Sequence, residues 1–254
     1  MKPFISFLLI PFLALTTNTA ISQVPKSQIH RGQSKYQLKD YRGAIVDYDK
    51  AIELNPTDPV PYNNRGLAKY QLKDMEGALQ DYSTAIELNN RKNAIIYFNR
   101  ATLKDELKDY EGALKDYDKA IELDARDAVK YNNRGLVKYN LRIYRDAIAD
   151  FSSSIKLNAK DEVTYFNRAL AKEGLEDYIG AIDDYSKTIE LNFREADAYI
   201  NRAMVKVKLA DYKGALSDYD QTLKLRPDDF VAAQNRELVK AKLRETENNS
   251  STNN

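Results

Sequence analysis

The sequence has 254 residues, with 39 Lys and Arg against 38 Asp and Glu, which leaves a formal net charge of +1. A charge this close to zero argues against a general nucleic-acid binder, because such proteins are strongly basic. Cysteine is absent and His30 is the single histidine, which excludes disulfides, thiolate metal sites, cysteine nucleophiles and a histidine metal cluster.

The N-terminal segment has a different composition from the rest of the chain. Lys2 precedes an apolar run over residues 4–15, which is followed by polar residues and by the small residues Ala20 and Ser22. This pattern predicts a signal peptide over residues 1–22, cleaved after Ser22 or, as the second choice, after Ala20. An uncleaved anchor is the alternative, although the run is short for spanning a bilayer. We expect a secreted or periplasmic protein, or one in a secretory lumen, with no stable membrane insertion after cleavage.

From about Pro25 onward the sequence repeats itself. The stretch Tyr62–Leu88 fits five other parts of the chain, and the alanine equivalent to Ala78 recurs at steps of 34, 35, 34, 34 and 34 residues. A fixed period of this size is the signature of a solenoid. The predicted repeats are residues 25–58, 59–92, 94–127, 128–161, 162–195 and 196–229.

Each repeat is predicted to form two helices, so the fold class is all-α. In the second repeat, Pro61–Leu72 begins with a proline in its first turn and contains good helix formers. Asp74 is placed to cap a second helix that ends at about Leu88. After the last repeat, residues 230–244 are predicted to form a capping helix and residues 245–254 a disordered tail.

Aromatic, small and alanine residues recur at fixed positions of the repeat, which in the second repeat are Tyr62, Gly66, Tyr70, Ala78, Tyr82 and Ala85. These positions resemble a known family, the tetratricopeptide repeat. Lys69 departs from its pattern, which usually has tyrosine there, and Arg65 stands where leucine is usual. The resemblance implies a right-handed α-solenoid that binds a protein or peptide segment in a groove lined by the first helices.

The first helix of each repeat has two distinct faces on a helical wheel. In the second repeat, Tyr62 and Gly66 lie on the arc that must pack within the stack, while Asn64 and Leu67 lie on the opposite arc. The resemblance implies that this opposite arc lines the ligand groove. The candidate groove residues are an asparagine column and its aromatic neighbours: Asn64, Asn99, Asn133, Asn167, Asn201, Tyr36, Tyr70, Phe98, Tyr139 and Phe166.

The asparagine column suits recognition of a peptide backbone. A carboxamide offers both a donor and an acceptor, so it can pair with one peptide unit of an extended ligand. Alternatively, the asparagines connect neighbouring first helices, since partly buried amides need hydrogen-bond partners. The lysines of the carboxylate clamp in chaperone-binding family members are replaced here, so that ligand class is not expected; the corresponding residues are Ile29, Gln33, Ile95 and Asn99.

Arginine, lysine and aspartate also recur as columns. Unpaired cations on a packing arc would be costly, so the arginines are predicted to pair with aspartates of the second helices in a structural charge ladder. The alternative is a basic stripe for an anionic glycan, but matching aspartates would cancel its field. The predicted ladder contains Arg65, Arg100, Arg134, Arg168 and Arg202, together with Asp81, Asp116, Asp150, Asp184 and Asp218.

The sequence contains no motif for catalysis. A glycine-rich phosphate loop, HExxH and a nucleophile elbow are all absent, so no catalytic residue, metal or cofactor is predicted. The leading hypothesis is a non-enzymatic scaffold for a protein or peptide partner. The alternatives are a structural spacer or self-associating solenoid and a glycan-binding protein, and the identity of the partner and the oligomeric state stay open.

Overall fold

The structure, a computed structural model, describes residues 10–89 and 91–252, with side chains over residues 24–89 and 91–246. Within these ranges the chain forms α-helices joined by short turns and contains no strand. It divides into two compact units, Met1–Ala125 and Arg126–Asn254. The fold is an all-α solenoid of tandem helix pairs, in which successive helices of each unit pack on each other.

The first unit contains α1 (Ile10–Gln37), α2 (Tyr41–Leu54), α3 (Pro59–Gln71), α4 (Met75–Leu88), α5 (Ala94–Glu106) and α6 (Tyr110–Leu123). The second unit contains α7 (Ala128–Asn140), α8 (Tyr144–Leu157), α9 (Glu162–Gly174), α10 (Tyr178–Leu191), α11 (Ala196–Lys208), α12 (Tyr212–Leu225) and α13 (Phe230–Thr252). Odd-numbered helices are the first helices of the pairs and even-numbered ones are the second helices.

The N-terminal prediction is only partly covered by the structure. Residues 1–9 of the predicted signal peptide lie outside the described residues, and α1 runs from Ile10 through Pro25 to Gln37. Cleavage after Ser22 therefore stays a prediction. Among the described residues, no helix combines the length and apolar character needed to cross a bilayer.

The C-terminal helix is longer than predicted. Residues 230–244 are helical as expected, but α13 continues to Thr252, so residues 245–252 of the predicted disordered tail are helical. Polar composition suggested disorder, yet this stretch contains neither proline nor glycine, the two residues that stop a helix most strongly. Residues 253–254 lie outside the described part of the chain.

The second helices begin at aspartate caps. The side chain of Asp74 accepts a hydrogen bond from the backbone N–H of Gly77, and the same arrangement begins α2, α6, α10 and α12. In α8, Ile143 stands at the cap position and makes no side-chain cap bond. Since such a cap typically contributes about 1 kcal/mol, α8 lacks a stabilisation that the other second helices have.

The core of each pair forms where a small residue of the first helix faces an aromatic ring of the second. A Cβ built on Gly66 would lie 2.8 Å from Cε1 of Tyr82, so this position must stay small. The ring column is buried, and burial raises the pKa of the Tyr48 phenol to about 12. The first helices thus bury one face against the second helices and leave the opposite one open. We call the open one the groove face; in α3 it carries Val60, Asn64 and Leu67.

Candidate functional site

The charged columns form clusters of two cations on one aspartate. Arg65 donates from Nε and Nη2 to the two carboxylate oxygens of Asp81, at 2.9 and 2.6 Å. The ammonium of Lys69 lies 2.9 Å from the same carboxylate, whose side chain is only 3% exposed. The same cluster occurs as Arg31, Lys35 and Asp47; Arg100, Lys104 and Asp116; Arg134, Lys138 and Asp150; Arg168, Lys172 and Asp184; and Arg202, Lys206 and Asp218.

The pairing shifts the pKa of individual members of these clusters. The hydrogen bond to Asp81 is the main reason why the pKa of Arg65 is raised. Conversely, the hydrogen bond from Arg31 is the main reason why the pKa of Asp47 is lowered. Each cluster keeps a net charge of +1, but in the cluster of Asp81 both cations are largely buried and bonded to the aspartate, so they are not free to bind a polyanion.

Within each unit, arginines also connect a first helix to the second helix of the preceding pair. Arg65 Nη1 donates to Asp49 of α2 at 2.6 Å, and its guanidinium lies 5.5 Å from the ring centroid of Tyr62. Sequence analysis did not identify these partners, although they lie 16 or, for Arg100, 17 residues before the arginine. The equivalent bonds join Arg100 to Ser83, Arg168 to Ser152, Arg202 to Ser186 and Arg236 to Asp220.

The last helix repeats the first-helix pattern with one change. Asn235, Arg236 and Lys240 lie 34 residues after their counterparts in α11. Glu237 stands at the position where Gly66 lies in α3, and it accepts hydrogen bonds from both cations, at 3.1 and 2.7 Å. Its side chain would obstruct a further second helix, and it takes the place of the aspartate that such a helix would bring.

The asparagine column contains two residues that connect neighbouring first helices. Asn99 of α5 donates from Nδ2 to Oδ1 of Asn63 in α3 at 3.0 Å. Asn167 of α9 donates to Oδ1 of Asn132 in α7, also at 3.0 Å. At these two positions the structure shows the inter-helix bonds that were considered as the alternative to peptide binding.

Asn64 differs from these two residues. Its Oδ1 accepts a hydrogen bond from Asn63 at 3.3 Å, but its Nδ2 is buried and has no partner among the described residues. The side chain lines a pocket of about 320 Å³ together with Tyr36, Leu67 and other residues of α1 and α2. A buried donor without a partner typically costs about 1–3 kcal/mol, so Asn64 has a hydrogen bond to offer a ligand.

The remaining two asparagines have partners within their own unit. Asn133 Oδ1 accepts from Asn132 at 3.4 Å. Asn201 hydrogen-bonds the hydroxyl of Tyr185, which donates to Glu173 Oε1 at 2.5 Å. Burial and the bond to Glu173 raise the pKa of that phenol.

The predicted groove aromatics are half-buried, and each of four packs against a ring of its own second helix. The centroid distances are 5.2 Å for Tyr36–Tyr41, 5.9 Å for Phe98–Tyr117, 5.7 Å for Tyr139–Tyr144 and 5.5 Å for Phe166–Tyr185. Tyr70 instead donates its hydroxyl to Glu106 at 2.5 Å. These rings therefore form a rigid surface with one face or edge open.

Each unit also has a pocket between the N-terminal ends of two first helices, at equivalent repeat positions. The neutral pocket, of about 190 Å³, has Val60 and Ile95 on its walls with the amides of Asn63, Asn89 and Asn93. Sequence analysis did not identify it, although exposed apolar residues recur at the position of Val60.

The equivalent pocket of the second unit has a different charge. This acidic pocket, of about 220 Å³, lies between α9 and α11 and has Val163 and Phe166 among its apolar lining residues. Three carboxylates, those of Glu162, Glu195 and Asp197, stand around it. Of these residues, sequence analysis placed only Phe166 at the candidate site.

Comparison with known families identifies the repeated unit. A model described as TPR repeat matches residues 32–73, and models described as tetratricopeptide repeat match residues 61–92, 94–127 and 196–229, together just over half of the chain. The chain belongs to the tetratricopeptide repeat family. Among curated proteins, no sequence matches it significantly.

Solved tetratricopeptide repeat structures share this fold. YrrB, described as a TPR protein with an unusual peptide-binding site, superposes with a TM-score of 0.67 at 22% identity, covering 75% of this chain and 97% of YrrB. PilF of Pseudomonas aeruginosa superposes with a TM-score of 0.71 at 19% identity, covering 86% of this chain and 99% of the PilF chain. MamA of Desulfovibrio magneticus RS-1 superposes with a TM-score of 0.63 at 20% identity, covering 66% of this chain and 95% of the MamA chain. These identities establish a common fold.

The family is typical of protein–protein interaction scaffolds and is generally non-enzymatic. Within the described residues, no group of three His, Cys, Asp or Glu side chains is arranged to hold a metal ion. The candidate site offers groups for hydrogen bonding and packing. Its functional groups are amides, phenols and exposed apolar side chains.

Proposed function

We propose that the protein is a non-enzymatic scaffold that binds an extended peptide segment of a partner protein on the groove face. The observation that carries this proposal is the buried, unpartnered Nδ2 of Asn64 beside the ring of Tyr36 and the side chain of Leu67. A peptide carbonyl would accept this hydrogen bond, and the apolar side chains would cover a neighbouring side chain of the ligand. The peptide-binding site described for YrrB supports the same type of ligand.

The arrangement of charges supports a peptide rather than an anionic glycan. The arginine and lysine columns bond the buried aspartates, so a polyanion would have to break those ion pairs to use them. Amides and half-buried rings, by contrast, are the groups that recognise main chain and apolar side chains.

A peptide selection on the full chain tests this function. Random twelve-residue peptides displayed on phage would be selected, and the best one measured by fluorescence anisotropy with the wild type, Asn64→Ala and Asn158→Ala. Asn158 is an exposed helix-end residue off the groove face, so its variant is a matched control.

We expect Asn64→Ala to weaken binding about 2- to 10-fold, the usual range for one net hydrogen bond, and Asn158→Ala to leave it unchanged. Tyr36→Ala should weaken binding as well. Failure to select any peptide, or equal affinities for all four proteins, would refute binding on this face.

We also propose that the chain is exported. The basis is the pattern of residues 1–22, a positive charge, an apolar run and a small-residue cleavage site. Mass spectrometry of the protein recovered from secreted and envelope fractions should give a mature chain that begins at Gln23. Recovery of the intact chain from the cytosol would contradict export.

A further inference from the structure

The two pockets at the first-helix ends share their position in the repeat and differ in chemistry. In the acidic pocket, Val163 is 53% exposed and lies near the ring of Phe166, which gives an apolar surface open to solvent. In the neutral pocket, Val60 and Ile95 supply a similar apolar surface, but the polar groups around them are uncharged amides. The same site is therefore built once with carboxylates and once without them.

The three carboxylates of the acidic pocket are engaged to different degrees. Asp197 is bonded to Arg226 at 2.5 Å, and Glu195 accepts a hydrogen bond from the backbone N–H of Asp197 at the start of α11. The carboxylate of Glu162 has no hydrogen bond or ion pair within the described side chains. Arg226 balances one of the three charges, so the pocket keeps an excess of negative charge.

We propose that the acidic pocket binds a lysine or arginine side chain of the ligand peptide. These side chains carry an apolar stem and a cationic head, so the stem would lie on Val163 and Phe166 while the head reaches Glu162. The complementarity of charge with an apolar lining selects this occupant over a purely apolar or an acidic side chain. This inference rests on the proposed peptide binding and adds a specificity to it.

The carboxylates also have a structural role that the test must separate from binding. All three lie at the N-terminal ends of α9 and α11, where negative charge is favourable for the helix. That role changes stability but does not distinguish a cationic ligand from a neutral one. The deciding measurement is therefore the selectivity between two probes that differ only in the terminal ammonium group.

The probes are Nα-acetyl-lysine N-methylamide and its uncharged counterpart, Nα-acetyl-norleucine N-methylamide. Each would be titrated into the full chain with methyl-labelled valine and isoleucine, and the NMR shifts of Val163 and Ile95 would be followed. Val163 reports the acidic pocket and Ile95 the neutral one. Both probes would be measured with the wild type, with Glu162→Gln, and at high salt.

We expect the lysine probe to bind at Val163 at least 5-fold more tightly than the norleucine probe. Glu162→Gln and high salt should each reduce this preference to less than 2-fold, and Ile95 should show no preference for the cation. Equal affinities at Val163, an unchanged preference in Glu162→Gln, or no shift up to the solubility limit would overturn the proposal.

Two controls keep the outcome interpretable. Glutamine keeps the size and helix propensity of glutamate, and an unchanged melting curve would show that Glu162→Gln is folded. If it is not folded, the salt dependence of the wild type decides, because salt weakens the charge interaction without a substitution and keeps Val163 as the reporter. Because the probes need one pocket only, cation selectivity at Val163 without any selected peptide would refute the proposed function alone. Selected peptides without cation selectivity would refute only this inference.

Discussion

The packing face and the groove face of the first helices use polar residues in opposite ways. On the packing face, the cluster of Arg65, Lys69 and Asp81 satisfies its charges internally and recurs along the chain with little variation. On the groove face, the residues equivalent to Asn64 have different partners in different repeats, and Asn64 itself keeps an unpaired donor. Stability is thus concentrated on one face, and the capacity for recognition on the other.

The largest expected effect comes from breaking the packing face. Arg134→Ala removes two hydrogen bonds from Asp150, whose side chain is 6% exposed and would keep only Lys138 as an ion-pair partner in its cluster. We expect a loss of about 3 kcal/mol in the free energy of unfolding, measured by urea denaturation, because a buried charge loses its main partner.

An exposed ion pair provides the control for this variant. Lys115 and Glu111 are four residues apart on α6 and both side chains are largely exposed, so Lys115→Ala should leave the urea midpoint nearly unchanged. If Arg134→Ala and Lys115→Ala shifted the midpoint equally, the packing-face clusters would not be a main source of stability.

A smaller effect is expected where a groove-face residue has a structural partner. Asn99→Ala removes the bond between α5 and α3 and leaves Asn63 Oδ1 without that donor. We expect a loss of about 1 kcal/mol in unfolding free energy. Hydrogen exchange of the backbone amides of α3 and α5 should become faster in the variant. Unchanged exchange would show that the hydrogen bond between Asn99 and Asn63 does not stabilise the fold.

The pH dependence of stability offers a test of the first cluster. Arg31, followed by Lys35, lowers the pKa of Asp47 below its ordinary value of about 3.9. A lowered folded-state pKa means that this carboxylate stabilises the fold above about pH 4 and that its contribution is lost as the pH falls through the lower folded-state value. Asp47→Asn should therefore show a smaller decrease in urea midpoint between pH 6 and pH 3 than the wild type, and a parallel decrease would contradict the assignment.

The smallest effect on stability is expected at the unpaired donor. Asn64→Ala removes an amide whose Nδ2 has no partner. The free energy of unfolding, measured by thermal denaturation, should therefore fall by less than about 0.5 kcal/mol or even rise. Its consequence should instead appear in peptide affinity, as described above. A destabilisation as large as that of Asn99→Ala would show that Asn64 is a structural residue like its neighbour.

Local periodicity made much of this fold predictable. The step of Ala78 and its equivalents, the caps such as Asp74 and the helix-stopping residues depend on neighbours within one repeat, so their spacing alone indicates helix pairs. The end of α13 was not predictable in this way, because polar composition suggested a tail while the absence of proline and glycine permits a helix.

The candidate site was less predictable, because it depends on contacts between repeats. Sequence columns place Asn64 and Asn99 in one class, yet Asn99 reaches Asn63 of the neighbouring helix and Asn64 reaches no acceptor. Likewise, the carboxylates of Glu162 and Glu195 are 33 residues apart in sequence and lie around one pocket only because α9 and α11 are adjacent in the stack.

The sequence by itself determined the repeat, the helix pairs and the choice of arginine and aspartate as partners, since these follow from residue type and spacing along one helix pair. Only the tertiary structure decided which amides are already bonded, which donor is left over and which side chains form the neutral and acidic pockets. The physical reason is that a hydrogen bond or a pocket requires the distance between helices to be set to within a few tenths of an ångström. The repeat period does not specify that distance so closely.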